Sequence, residues 1–325
     1  MAAINYPLAH YVKNNSPLVY GCMGLGGGWN NNGISADDIK QAHQVVDAAL
    51  EAGIVIFDHA DIYTFGKAEQ VFGEVLKQRP ELRQVITLQS KCGIRLEDKL
   101  GPKRFDFSSQ WITHSVDNIL QRLGIEQLDI LMLHRPDPLM EVEDVAATFD
   151  ALRDSGKVAH FGVSNMQQRQ MAYLQTKLSQ PLVCNQLELS LSHLAWLEEG
   201  VTGGCSGHVA NNFAGGTIEY CQQHKVQLQA WASLSKGLFS GADVSGQAAL
   251  VQHTAQLVAS FAAEYQISKE AIVLAWLMRH PARIQPVIGT TNTARIKACG
   301  QAAQIELTRE HWYALYVAAR GAELP

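Results

Sequence analysis

The chain has 325 residues, 47% of them hydrophobic, and 26 Lys and Arg against 31 Asp and Glu leave a formal net charge of −5. No basic stripe is present, which argues against nucleic acid as a partner, and no apolar stretch is long enough for a membrane span. Met1 to Ser16 lacks the charged start and apolar run of a signal peptide, so the expectation is a soluble cytoplasmic protein with a large core.

After the polar arm, Leu18-Val19-Tyr20 reads as a strand leading into the glycine-rich Gly21 to Gly28. Asp37 to Ala52 reads as a helix with Ile39, Ala42, Val45, Val46 and Ala49 on one face, and Gly53 ends it. Ile54 to Phe57 is a short buried strand, and Lys67 to Gln78 is a helix that stops before Pro80. Val85 to Leu88 is the next strand, residues 92–109 a long polar loop, and Gln110 to Leu123 a helix closed by Gly124. A strand at 128–133 precedes the proline-broken turn Arg135-Pro136-Asp137-Pro138, which Arg135 and Asp137 are expected to shape. Then come a helix at 142–155, a strand from Val158 to Val163, a helix at 167–178 and a strand from Leu182 to Gln186.

Residues 197–216, rich in Gly, Ser, Thr and Asn, interrupt the rhythm as a loop insertion. It resumes with a helix at 217–224, the strand Gln227 to Trp231, helices at 248–265 and 269–280, a strand at 285–288 and helices at 293–302 and 308–320. Eight strands, nearly all followed by helices and with no compositional break, imply one α/β domain over residues 1–325. The expected form is a (β/α)8 TIM barrel with its active site at the C-terminal ends of the strands. The rival is an open doubly wound sheet. Its glycine fingerprint is missing, because Gly24, Gly26, Gly27 and Gly28 do not have the required spacing and Asn30-Asn31-Asn32-Gly33 follows instead of a helix.

Six cysteines, Cys22, Cys92, Cys184, Cys205, Cys221 and Cys299, form no CxxC pair and no zinc-finger spacing with histidine. They read as free thiols, and no metal site is expected. Cys92 adjoins Lys91, whose ammonium is the kind of neighbour that activates a thiol, although a buried structural thiol is the favoured reading of it as well.

Four polar residues, Asp58, Tyr63, Lys91 and His134, follow three of the apolar runs. A titratable group at a buried strand tip is costly unless it is paired or needed, so they point to one site at one barrel mouth. Asp58 would pair with Lys91, and a cation beside the Tyr63 phenol would lower its pKa toward neutral for acid or base work. His134 is suited to donate a hydrogen bond to a substrate oxygen. None of the four is a reductant, so hydride would come from a nicotinamide cofactor.

Several motifs lie around these residues: Phe57-Asp58-His59-Ala60-Asp61-Ile62-Tyr63, Ser90-Lys91, Leu128 to His134, Gly156-Lys157-Val158, Gly162-Val163-Ser164-Asn165 and Asn185-Gln186. In order and spacing, from about residue 18 to 320, the chain resembles the aldo-keto reductase superfamily, above all a bacterial and fungal branch with HADIY, SKCGI and HRPDP signatures. The resemblance implies a barrel enzyme that reduces a small aldehyde or ketone with NADPH. Tyr63 would be the general acid, Lys91 its tuner, Asp58 the counterion and His134 the residue orienting the carbonyl. The carboxamide contacts fall on Ser164, Asn165 and Gln186, and Trp231 takes the place of the aromatic ring that stacks on nicotinamide. Ser233, Leu234, Gly237 and Leu238 would line the pyrophosphate. Ile288, Gly289, Thr290, Thr291, Asn292 and Arg295 would hold the adenosine end, with Arg295 on the 2′-phosphate.

Three positions depart from the family pattern: no lysine stands at 289–292, His59 replaces the usual Thr, and Ala159 replaces a common Arg. Trp29, Phe65, Phe105 and Trp196 are candidates for an apolar substrate mouth, with His193 and His208 as minor ones. Two other functions fit the same residues. One is an NADP(H)-sensing regulatory subunit; the other is a Schiff-base lyase with Lys91 as nucleophile, which pairing with Asp58 disfavours.

Overall fold

The computed structural model describes residues 6–203, 205 and 213–325; Gly204 and residues 206–212, which include His208 and the middle of the expected insertion, lie outside the described residues. The chain opens with a 3-10 turn at Pro7–His10, then β1 (Val19–Gly21), α1 (Ala36–Glu51), β2 (Ile56–Asp58), α2 (Lys67–Gln78) and β3 (Thr87–Cys92). A two-stranded hairpin follows, β4 (Ile94–Arg95) and β5 (Arg104–Phe105), and then α3 (Ser109–Leu123), β6 (Leu128–Leu133), α4 (Val142–Asp154), β7 (Val158–Ser164) and α5 (Gln168–Gln175). The remainder is β8 (Cys184–Glu188), α6 (Ala195–Val201), α7 (Thr217–Gln223), β9 (Gln227–Trp231), α8 (Ala249–Tyr265), α9 (Lys269–Met278), β10 (Gln285–Ile288), α10 (Thr293–Gly300) and α11 (Arg309–Arg320).

Eight strands close into a parallel barrel in the order β1-β10-β9-β8-β7-β6-β3-β2, with the β4–β5 hairpin outside it. This is the (β/α)8 TIM barrel, and its logic is local. Several helices start at side-chain caps: a reciprocal Ser35–Asp38 box on α1, Ser108 on α3, Ser268 on α9 and Thr308 on α11. Gly124 ends α3 at φ 65, a left-handed turn that suits glycine. Phe72 of α2 is buried against Phe57 of β2, and Trp276 of α9 is buried in a stack on Trp312 of α11.

The inward faces are different. At the floor, Leu8 and Val12 of the N-terminal arm plug the barrel against Val19, Ile56, Ile130, Val183 and Cys184. Above them the bore is polar, with Gln89, Gln186, Gln229 and Gln285 all at or near complete burial. Gly162 keeps the bore open to its neighbours: a Cβ there would collide with the Cys184 sulfur and lie 2.9 Å from the Cys184 carbonyl oxygen.

Two expectations are corrected. Residues 92–109 are not one polar loop: Arg95 and Arg104 both pair with Asp98, and Arg95 also with Asp106, pinning the β4–β5 hairpin. The start of the 197–216 stretch belongs to α6, and Trp196 within that helix is 3% exposed and packs edge-on against Trp276.

Candidate active site

Asp58 ends β2 and is in register with Gln89 on β3; Lys91 lies two residues further along β3, on the same inward face. His134 follows β6, its backbone N–H donated to the Cys92 carbonyl at 2.9 Å. Tyr63 is delivered by a tight turn in which Thr64 (φ 48), Phe65 (φ 59) and Gly66 (φ 84) are all left-handed. Only Gly66 adopts that conformation without strain. The Thr64 hydroxyl, donated to the Leu25 carbonyl at 3.0 Å, helps hold the turn.

The structure brings the four together. Lys91 Nζ donates to Asp58 Oδ2 at 2.6 Å, to the His59 carbonyl at 2.9 Å and to Tyr63 Oη at 3.0 Å. Tyr63 meets the His134 ring edge-on at 6.0 Å. Burial works against the Lys91 charge, yet Asp58 and the Tyr63 oxygen outweigh it, and the lysine pKa lies above its ordinary value. For Tyr63, burial raises the phenol pKa and Lys91 lowers it; the net direction is upward, not the lowering expected from the cation alone. His134 is held well below the usual histidine range by burial, then by Lys91, Arg135 and Lys103, so its imidazole is neutral. His59 is pushed down to about 3 by burial and then Lys91, so this departure adds no charge to the site. Burial pushes the Cys92 thiol well up, with Asp61 and Glu69 adding to it, in keeping with a buried structural thiol.

Beside Tyr63 a cavity of about 750 Å³ runs over the barrel mouth. Ser164, Asn165, Gln186, Trp231, Ser233, Leu234, Gly237, Ile288, Gly289, Thr290 and Arg295 line it. Asn165 sits at φ 59 and donates to the His134 carbonyl at 3.2 Å, while Trp231 Nε1 donates to Asn165 Oδ1 at 3.0 Å. The Ser164 hydroxyl donates to the Gln186 carbonyl at 2.9 Å. At the far end Asn292 caps α10 by accepting the Arg295 N–H at 3.1 Å. Amide and hydroxyl groups at one end, an aromatic face beside them and a guanidinium at the other make a donor set that fits a nicotinamide dinucleotide.

A family model, the Aldo/keto reductase family, matches residues 17–317. The chain belongs to the aldo-keto reductases. Among curated relatives, a 6-dehydroglucose reductase of Agrobacterium fabrum is 34% identical over 316 residues, 95% of this chain and 96% of that protein. Oxidoreductase YdhF of Escherichia coli is 34% identical over 291 residues, 88% of this chain and 90% of its own. A solved structure of a glycerol dehydrogenase from Gluconobacter oxydans matches the fold with a TM-score of 0.79 at 21% identity, covering 100% of this chain and 98% of that one.

As an aldo-keto reductase the chain is an oxidoreductase of the carbonyl-reducing type. Several expected site residues do not line the cavity. Leu238 lines a separate groove with Leu191 and Phe239, and Thr291 and Asn292 lie beside the cavity lining. Of the four mouth aromatics, Trp29 lines the cavity; Phe65 packs edge-on against it at 5.4 Å; Phe105 sits on the hairpin; Trp196 is core. Trp196 is buried because it packs edge-on against Trp276 of α9 and against His280.

Other side chains at the cavity were not singled out in the sequence reading, which took Ser233 to Leu238 only as backbone. Arg135, expected to shape a turn, lines the cavity with its guanidinium 5.4 Å from the Trp231 ring centroid, whereas Asp137 does shape the turn by accepting the Phe107 and Leu139 N–H groups. Lys236 lines it from the loop after β9, and Glu270 from α9. Lys236 was legible as a cation between Ser235 and Gly237; Glu270 left no signal, because nothing in sequence ties α9 to the mouth.

Proposed function

We propose that the chain is an NADP(H)-dependent reductase that converts an aldehyde or ketone to an alcohol, with Tyr63 as general acid. The observation that carries this reading is a single ammonium, Lys91 Nζ, bonded at once to Asp58 and to the Tyr63 oxygen in a buried setting. When bound, the cofactor supplies a hydride to the carbonyl carbon. The neutral His134 donates a hydrogen bond to the carbonyl oxygen and orients it. Tyr63 hands that oxygen its proton, and Lys91 stabilises the phenolate that remains. Burial keeps the phenol protonated through neutral pH, so the acid is loaded, and Lys91 limits how far its pKa climbs. Asp58 keeps Lys91 charged, which also disfavours a Schiff-base role for that lysine.

Ser164, Asn165 and Gln186 would hold the carboxamide, Trp231 the ring face, Lys236 and the Ser233–Gly237 backbone the pyrophosphate, and Arg295 with Thr290 the 2′-phosphate. Similarity to 6-dehydroglucose reductases supports including sugar aldehydes among the substrates to be tried, beside the aromatic carbonyls that Trp29 favours. The test is Tyr63→Phe. Carbonyl-dependent NADPH oxidation should fall about a hundred- to ten-thousand-fold while NADPH binding, followed by fluorescence titration, is kept. Full activity in this variant would overturn the assignment.

A further inference from the structure

The bore beneath the site holds a feature that the reaction above leaves unused. Barrel interiors are usually filled by branched apolar side chains in layers. Here a layer is built from amides. Asp58 and Gln89 are register partners on β2 and β3; Gln186, Gln229 and Gln285 are register neighbours on β8, β9 and β10. The two groups face each other across the bore and are joined there. Gln89 Nε2 donates to Gln229 Oε1 at 2.8 Å, and Gln229 Nε2 returns a bond to Gln89 Oε1 at 3.0 Å. The chain of amides descends from Gln229 to Gln285 at 3.4 Å and ends on the Ser16 carbonyl at 2.7 Å.

At its upper end this layer grips one atom. Asp58 Oδ1 accepts from Gln89 Nε2 at 2.7 Å and from Gln186 Nε2 at 3.2 Å. The other carboxylate oxygen, Oδ2, is thereby turned to Lys91 at 2.6 Å. Gln89 is 0% exposed and Asp58 1%, so no water competes for these bonds. The reciprocal pair locks the Gln89 amide so that its N–H, not its oxygen, faces Asp58.

We infer that Gln89, clamped by Gln229, is a positioning residue that sets the acid strength of Tyr63 by fixing and partly neutralising the Asp58 carboxylate. The inference rests on the reading of Tyr63 as the general acid. Without the Gln89 N–H, less of the Asp58 negative charge is compensated from below. Asp58 then draws the Lys91 proton harder and repels a phenolate more strongly, and both effects raise the Tyr63 pKa.

The readout is the pH dependence of alcohol oxidation by NADP⁺, in which ionised Tyr63 is the reactive form. Gln89→Met removes the amide at similar volume. The pH of half-maximal kcat/KM should move up by about half to one unit. The double variant Gln89→Met/Gln229→Met also removes the amide that the single change strips of its reciprocal pair, leaving it only its bonds with Gln186 and Gln285. It should regain thermal stability while keeping the shifted profile. It also carries the test if the single variant does not fold. A Gln89→Met profile with an unmoved midpoint, whatever the loss of rate or stability, would reduce the glutamines to packing and overturn the inference. Tyr63→Phe separates the two failures. If that variant is inactive and the Gln89→Met midpoint stays put, only the positioning role falls; if it is fully active, the acid assignment falls as well.

Discussion

Replacing Lys91 by methionine tests the site at its most buried point. The Lys91 and Asp58 side chains are 1% and 2% exposed and pair at 2.6 Å. Removing one partner of such a pair costs about 3–5 kcal/mol, because the other charge is left uncompensated. Asp58 would keep two donors on Oδ1, from Gln89 and Gln186, which places the cost at the lower end, about 3 kcal/mol. At about 2.1 cal/mol/K of unfolding entropy per residue, each kcal/mol moves the melting temperature of a 325-residue chain by roughly 1.5 °C, so a fall of about 4–5 °C is expected by calorimetry. Adding Asp58→Leu removes the stranded charge, and the double variant should recover at least half of the loss, a strong non-additivity. A loss below about 1 kcal/mol, or two changes whose costs simply add, would refute a coupled ion pair at the centre of the site.

Asp61 gives a pH prediction. Burial and the neighbouring Glu69 raise its pKa from 3.8 to about 7. A raised carboxyl pKa contributes stability that is present at low pH and is lost as pH rises toward 7; Asp61→Asn should therefore flatten the decline in denaturation midpoint across that window, and a decline as steep as in the parent would refute the assignment. Gly162→Ala should destabilise by about 1–3 kcal/mol, since the new methyl meets Cys184 in a closed bore; an unchanged melting temperature would mean that β7 and β8 separate at no cost. Arg295→Ala should weaken NADPH about tenfold or more with little effect on NADH, whereas Lys236→Ala should weaken both, as a pyrophosphate contact does; equal losses for both cofactors in the Arg295 variant would remove it from the 2′-phosphate.

Much of the barrel was legible because parallel strands are buried on both faces. Leu128–Leu133, Gln227–Trp231 and Gln285–Ile288 have the bounds read from sequence. Two others were placed early: apolar runs marked Ile54–Phe57 and Val85–Leu88, yet the strands are Ile56–Asp58 and Thr87–Cys92 and include the polar tips. In both, an inward-facing polar residue, Asp58 in β2 and Gln89 in β3, reads as the end of an apolar run, and only the closed bore supplies its partners. The juxtaposition of Asp58, Tyr63 and Lys91 was foreseeable from strand ends. The net direction of the Tyr63 pKa was not, because the sequence shows the neighbouring cation but not the extent of burial. Arg135 and Glu270 were missed for a related reason: which loop residues turn toward the mouth is decided by packing between distant segments.

The amide-filled bore also bears on how this protein responds to temperature. Exposing apolar surface on unfolding raises the heat capacity by about 0.45 cal/K/mol per Å², whereas exposing polar surface lowers it by about 0.26. Each glutamine that stands where a branched hydrocarbon usually sits therefore subtracts from the heat-capacity change of unfolding. The stability curve of this barrel is correspondingly flatter than that of one with a hydrocarbon bore, with shallower losses on cooling below its optimum.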